Sequence, residues 1–323
     1  MSVELLLGQM ADGEFHSGEA LGELLGVSRT AVWKHLQKLE GLGLQLESVK
    51  GKGYRIPGGV ELLDADVITQ GLRPAASAFI KQMDVLQTVD STNSRAMQKV
   101  VEGSGHGYLC LAEYQTAGRG RRGRQWVSPF GQSLYLSVVV EFKEGAAALE
   151  GLSLAVGVAL VRALEEVGAT EIGLKWPNDV LWRGKKLAGV LLEMTGDPSG
   201  VCQVVVGLGV NMSLSEGVVQ SIDQPWVDVA TIVPGVSRNQ FAVSLFNHLL
   251  PVLSGFSVVG FSQYKDEWES HHVHAGASVE LAFGVNESVA GVALGVTETG
   301  ALRLDVSGEE RVYSGGEVSL RSV

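Results

Sequence analysis

Residues 117–126 read AGRGRRGRQW, and the way this stretch folds decides between three architectures. Gly118, Gly120 and Gly123 spell G-x-G-x-x-G, while Arg119, Arg121, Arg122 and Arg124 bring four guanidiniums into six residues. A dinucleotide fingerprint needs a strand before its glycines and a helix opening directly after them, so that the pyrophosphate sits on the helix N-terminus. HGYLCLAEY (106–114) supplies the strand, but RQWVSPFG (124–131) carries Pro129 and Gly131 and opens no helix. A doubly wound nucleotide fold is therefore rejected. A nucleic-acid patch fares little better, because Trp126 is the only aromatic residue interleaved with the arginines. A mobile loop remains, hinged by its glycines, whose guanidiniums neutralise phosphate charge as it folds over a ligand.

Outward from the loop, the chain alternates apolar strand-like runs with helical ones. SLYLSVVVEF (133–142), IGLKWPNDVLW (172–182), KKLAGVLLEMT (185–195) and CQVVVGLGVNM (202–212) read as strands. AAALEGLSLAVGVALVRALEEVG (146–168) reads as one long buried helix, with further helices at Arg238–Phe256 and Gln263–Ser270. The class is α+β, with a mixed sheet in a central domain spanning 66–271. Four short stretches carry polar chemistry. DSTNS (90–94) sets hydroxyls and an amide in one turn, KWPNDV (175–180) places Lys175, Asn178 and Asp179 around a proline turn, GKKLAG (184–189) starts a strand with two lysines, and GLGVN (207–211) ends one with Gly207 and Gly209, where backbone can approach a ligand closely.

The first sixty residues form a separate unit. Ser17 caps a helix carrying Leu21, Leu24 and Leu25, and Ser28 caps a second running from Arg29 to about Leu39 with Val32, Leu36 and Leu39 on one face. A Lys-Gly-Lys-Gly turn between two short strands follows, which is the order of a winged helix-turn-helix. The second helix presents Ser28, Arg29, Thr30, Trp33 and Lys34 to a major groove, and the wing offers Lys50 and Lys52 to phosphates. Although the whole chain of 323 residues carries a net charge of −11, residues 28–56 hold six basic side chains against Glu40 and Glu47. A basic module on an acidic protein points to one part that meets DNA and another that does not. IPGGVELLDADVI (56–68) reads as a linker.

Other features bound the rest. No uninterrupted apolar run reaches eighteen residues and the N-terminus lacks a basic n-region and cleavage site, so neither a membrane span nor export is expected and the protein is placed in the cytoplasm. Cys110 and Cys202 lie in apolar runs and read as buried free thiols. HHVHAG (271–276) has no third metal partner and reads as surface or hinge histidines. From Ala277 onward short alternating runs read as a small antiparallel barrel over 272–323.

The ordered set D-S-T-N, Q-x-A-G-R-G-R-R-G-R-x-W, K-W-P-N-D, K-L-A-G and G-x-G-x-N resembles the biotin–protein ligases. With the winged helix at 1–60 in front and GEVSLR near the C-terminus, nearly the whole chain resembles the bifunctional biotin–protein ligase and biotin operon repressor family. The resemblance implies adenylation of biotin by ATP with Mg²⁺, then transfer to a lysine of the biotin carboxyl carrier protein of acetyl-CoA carboxylase. It also implies a homodimer, formed when the adenylate is bound, on operator DNA. Motif position assigns Ser91, Thr92, Asn93, Gln115, Arg119, Gly120, Arg121, Lys186, Gly189, Gly207 and Gly209 to biotin. It assigns Arg119, Arg121, Arg122, Lys175, Asn178, Asn211, Trp226, Glu317 and Arg321 to ATP or the adenylate. Arg121, Lys186 and Asp179 are the catalytic candidates, with Asn178 and Asp179 as candidate Mg²⁺ ligands. The C-terminal barrel is expected to be an SH3-like cap. Lys185 and Lys186 are adjacent and point to opposite faces of a strand; the K-L-A-G register assigns Lys186 inward. A ligase without repression, a non-catalytic sensor of biotin or nucleotide, and a lipoate–protein ligase are the alternatives; the arginine loop's composition and K-W-P-N-D favour biotin over lipoate.

Overall fold

Residues 2–215, 222–283, 287–314 and 318–322 are described by the computed structural model. The N-terminal unit holds α1 (Ser2–Met10), α2 (Gly18–Leu25), α3 (Arg29–Gly41) and a two-stranded wing, β1 (Glu47–Val49) with β2 (Gly53–Arg55). Ser17 and Ser28 accept backbone N–H groups at the starts of α2 and α3, as their positions require. Val32, Leu36 and Leu39 turn inward against Leu6, Leu7 and Met10 of α1, a helix that the sequence reading passes over. The wing strands are three residues each.

The central domain continues with α4 (Ala65–Gln70), α5 (Pro74–Phe79), β3 (Gln82–Val89), α6 (Thr92–Val101), β4 (Tyr108–Gln115), β5 (Ser133–Phe142) and α7 (Leu152–Glu166). Then come β6 (Ile172–Lys175), β7 (Asp179–Trp182), β8 (Lys185–Gly196), β9 (Cys202–Asn211), α8 (Val229–Ile232), α9 (Arg238–Val259) and α10 (Lys265–Ser270). Seven strands form one sheet in the order β3-β4-β5-β9-β8-β7-β6, parallel only between β3 and β4. The mixed sheet is as expected, and both cysteines are buried free thiols.

One face of the sheet is sealed by α7 and α9. By length and composition Ala146–Glu166 and Arg238–Val259 are each apolar enough to cross a membrane, which a count of uninterrupted apolar residues does not reveal. Here those side chains are spent on each other and on the sheet, in one core with Leu136, Val138, Leu174 and Val206. The run 146–168 is not a single helix. A 3₁₀ turn at Ala146–Leu149 is separated from α7 by Gly151, whose φ is 75° and where a Cβ would stand 2.4 Å from the Phe261 Cβ. The C-terminal unit is a five-stranded antiparallel sheet of β10 (Ser278–Phe283), β11 (Glu287–Val296), β12 (Leu302–Val306), β13 (Glu309–Tyr313) and β14 (Val318–Ser322), in the order β13-β12-β11-β10-β14.

The linker is not a slack tether. Glu61 accepts from the Ser237 hydroxyl, the Arg238 and Asn239 N–H groups and the Asn239 amide, so its carboxylate caps α9. Arg238, 5% exposed, donates to the Glu61 carbonyl, to the Ser133 carbonyl and to Glu113, which is 2% exposed and also takes the Leu63 N–H. Phe130, from the segment just past the arginine loop, is buried in the core of the helix-turn-helix unit, and Gly131 backs onto Val60.

Burial alone would raise the Glu61 carboxyl, but the hydrogen bonds from Ser237, Arg238 and Asn239 outweigh it and hold the group below its ordinary range. Its stabilising contribution is complete above the unfolded carboxylate range and is lost as pH falls through the depressed folded value. Glu61→Gln is expected to cost about 1 kcal/mol or less at neutral pH, since Glu61 is partly solvated. In urea titrations the gap to the wild type should narrow as pH falls below the ordinary carboxylate range.

Candidate functional site

The face of the sheet away from α7 and α9 is where the polar stretches meet, and strand register explains why. Gly209 lies opposite Gly189 on β8 and Tyr135 on β5; two residues along, Gly207 lies opposite Leu191 and Ser137. Period-two alternation puts all of these on one face. Three of them have no side chain, and the space is taken by others. A Cβ on Gly207 would stand 2.1 Å from Asn93 Oδ1, and one on Gly209 2.5 Å from Trp126 Cε2. The result is a cavity of about 700 Å³ laid on bare backbone.

Its closed end is a floor of paired polar groups. Ser91, Thr92 and Asn93, at the start of α6, are 3–4% exposed. Gln115 Oε1 accepts the Thr92 N–H at 2.9 Å, and Gln115 Nε2 donates to the Ser128 hydroxyl at 3.0 Å, which in turn donates to the Trp126 carbonyl. The Ser137 hydroxyl lies 2.8 Å from Thr92 Oγ1 and 2.5 Å from Asn93 Oδ1. The Asn93 amide donates to Glu193, and Arg119 pairs with the same carboxylate at 2.8 Å. This chain of bonds ties both ends of the arginine loop to the floor. DSTNS is thus both a helix start and a binding surface.

The open end is cationic. Lys186 Nζ sits 2.8 Å from Asp179 Oδ1 and 5.4 Å from the Trp126 ring centre. A bulge at Leu187 makes this possible: Asp179 pairs with Gly189 and Val180 with Ala188, but Leu181 pairs with Lys186. Strict alternation would have put Lys185 on the face of Gly189; the extra residue moves Lys186 there instead and leaves Lys185 exposed. Arg121 donates to Asn178 Oδ1 at 3.0 Å, while the Asn178 amide holds the Val190 carbonyl. Burial, with Arg122 beside it, pulls the Arg121 guanidinium below its ordinary pKa, against the opposing pull of Asp179. Asn211 donates to the Val227 carbonyl, and residues 225–227 pair with Lys186 to bring Trp226 to the rim. Lys175 lines the same mouth. Trp176 anchors that turn by donating to the Gly300 carbonyl in the C-terminal unit.

The loop itself is short and strained. Arg122 has φ 58°, in the left-handed region that a residue with a Cβ seldom occupies, and its guanidinium reaches toward the Ala282 carbonyl of the C-terminal sheet. At Gly118 the loop crosses itself, and a Cβ there would stand 2.4 Å from Ser128 Oγ.

Every described residue assigned to biotin, nucleotide or catalysis lines this one cavity. Glu317 lies outside the described residues, as does the side chain of Arg321, whose backbone pairs with Glu280. Ser137, Ser128 and Glu193 were missed. Their signals were small: Ser137 is one of three hydroxyl residues inside the strand-like run SLYLSVVVEF, and Glu193 a lone acid inside AGVLLEM. The histidine reading needs correction in one respect. His272 is 7% exposed rather than on the surface, tilted against Trp268 with ring centres 4.7 Å apart, and burial lowers its pKa to about 4. On the N-terminal unit Ser28, Arg29, Thr30, Trp33 and Lys34 on or beside α3, and Lys50 and Lys52 on the wing, are all exposed.

Comparison with known proteins matches these units one by one. Residues 5–55 match an HTH domain model, 85–211 the Biotin/lipoate A/B protein ligase family and 275–321 the Biotin protein ligase C terminal domain. The Bifunctional ligase/repressor BirA of Salmonella typhimurium is 41% identical over 317 residues, covering 98% of this chain and 97% of that protein. The chain belongs to the bifunctional ligase/repressor family. The family member from Escherichia coli is 39% identical over 98% of this chain and 96% of its own length. Among solved structures, the biotin protein ligase from Aquifex aeolicus in complex with biotin and ATP superposes with a TM-score of 0.64 at 29% identity, covering 76% of this chain and all of that one. For this member of the family, Gly207→Ala is expected to displace Asn93 and weaken biotin binding tenfold or more, about 1.4 kcal/mol. Gly255→Ala, where an added methyl meets open space, should leave it unchanged; calorimetric titration distinguishes the two.

Proposed function

We propose that this chain is an ATP-dependent biotin–protein ligase and a biotin-operon repressor, with biotinyl-5′-AMP as both intermediate and corepressor. The observation that carries the reading is a single cavity with a paired, uncharged floor and a cationic mouth. The floor suits the ureido end of biotin, and the mouth suits a carboxylate meeting a phosphate. Module boundaries at 1–60, 66–271 and 272–323 belong to the same proposal.

In the first step a carboxylate oxygen of biotin attacks the α-phosphorus of ATP and the bond to pyrophosphate breaks. Negative charge gathers between carboxylate and phosphate, where Lys186 and Arg121 meet it by exchanging Asp179 and Asn178 for the phosphate, in a cavity that closure of the loop would dry. Arg119, Gly120 and Arg122 fold over the product, Trp226 stacks on adenine, and Lys175 and Asn211 border the nucleotide. The resemblance assigns Glu317 and Arg321 to the nucleotide as well. In the second step the neutral ε-amine of the carrier lysine attacks the acyl carbon, AMP leaves, and the amine gives up a proton. When Lys186 turns to the phosphate, Asp179 loses its counter-ion and becomes free to orient that amine or take the proton.

In the ligand-free chain Asn178 Oδ1 accepts from Arg121 and Asp179 Oδ1 pairs with Lys186, so either would hold magnesium only once those cations have turned to the phosphates. Magnesium would come with the nucleotide on its phosphates, and no step here runs through it.

Repression needs two copies and DNA. Beyond Gly189 the strand β8 pairs only with β9, because β7 is four residues long; among the described residues 191–196 have no strand on their outer side. An unpaired edge is a ready template for a second copy. The exposed basic face of α3 and the wing favours repressor over a ligase that has lost DNA binding. The charged mouth favours enzyme over sensor, since a sensor has no need to polarise an α-phosphate.

The test is ATP-dependent incorporation of labelled biotin into a biotin carboxyl carrier domain, with lipoate in parallel. Biotin alone should be incorporated; incorporation of lipoate, or of neither, would overturn the assignment. Lys186→Met should slow adenylate formation, read by pyrophosphate exchange, by about 10²–10³, the usual cost of removing one donor to developing charge. Lys50→Ala and Lys52→Ala should each lower the salt dependence of binding to DNA from upstream of the biotin synthesis genes by about one unit of slope.

A further inference from the structure

Glu193 bonds to both halves of the site. It stands on β8 opposite Val205, on the same face of the sheet as Gly189, and one carboxylate oxygen takes the Asn93 amide at 2.7 Å and the Arg119 guanidinium at 2.8 Å. Asn93 belongs to the buried floor and Arg119 to the loop. Beneath the loop, against Leu191 and Glu193, lies a second cavity of about 480 Å³. Two consequences follow from the chemistry of these bonds. With its NH₂ spent on Glu193, Asn93 has its carbonyl oxygen turned to Ser137, so its orientation is set before any ligand arrives. And Arg119 has its charge neutralised by Glu193, so it must leave that carboxylate before it can serve a phosphate.

We propose that Glu193 is the latch of the arginine loop. It holds Arg119, and with it the near end of the loop, while no nucleotide phosphate is present, and it hands the guanidinium over when one binds. The proposal rests on the reading that the loop closes over an adenylate. The pair is suited to exchange, because its side chains are 41% and 27% exposed and such ion pairs are weak. Position adds a second effect. Glu193 lies in the stretch of β8 whose outer edge has no strand partner among the described residues, so releasing Arg119 also changes the charge presented at that edge.

Glu193→Gln tests the latch, because its amide oxygen can still accept from Asn93 while the charge that holds Arg119 is gone. The readout is limited tryptic cleavage at the Arg122–Gly123 and Arg124–Gln125 bonds. Without ligand the variant should be cut about fivefold faster, as expected when an exposed ion pair is lost. With biotin and ATP both proteins should be cut equally slowly. Arg119→Gln should give the same acceleration, and the double variant no more, since both remove one interaction. Equal cutting of Glu193→Gln and wild type without ligand, or additive single effects, would overturn the latch. If biotin and ATP fail to protect the wild-type loop, it is the closure reading that falls, and the latch with it.

Discussion

Three missing side chains make the site. At Gly189, Gly207 and Gly209 the central sheet exposes backbone on the face opposite α7 and α9, and neighbouring strands place two of these glycines directly across from one another. Everything else is arranged around that bare patch: Asn93 leans over Gly207, the Trp126 indole lies on Gly209, and the loop joining β4 to β5 arches above. The opposite face makes the arrangement affordable. It is packed with the apolar side chains of two long helices, so the sheet does not need its second face for stability.

The charges depend on a smaller irregularity. The bulge at Leu187 breaks the two-residue period of β8 and turns Lys186 toward Asp179, next to Arg121 and Asn178. Three of the cations at the mouth already have a partner: Lys186 has Asp179, Arg121 has the Asn178 carbonyl and Arg119 has Glu193. A ligand phosphate would therefore exchange existing bonds rather than meet isolated charges, which keeps the ligand-free site stable at modest energetic cost.

Local signals were legible in the sequence and tertiary ones were not. Ser17 and Ser28 announced their helices because an N-cap bond closes within three residues. Pro129 and Gly131 ruled out a helix after the glycine-rich loop for equally local reasons. Lys186 was placed inward through its motif, whereas bare alternation counted back from Gly189 would have chosen Lys185. Ser137 and Glu193 escaped because their partners lie 44 and 100 residues away in the chain, and neither departs from what a strand tolerates. The break at Gly151 was hidden for the same reason: it exists because Phe261 arrives there from another part of the fold.

The strap from Val60 to Asp64 bears on how the molecule would measure DNA. Its residues are bonded to the start of α9 and to Glu113, and the helical unit completes its own core with Phe130 of the larger domain. The heading of α3 is thus a property of the sheet rather than of a swivelling connector. Successive major grooves on one side of a duplex recur about every 34 Å, and a swivelling reader would sample many spacings. A bolted reader works as a fixed gauge. Any second copy paired along the sheet would set the distance between two recognition helices, and the spacing of half-sites would be written in the packing around Arg238, far from the DNA itself.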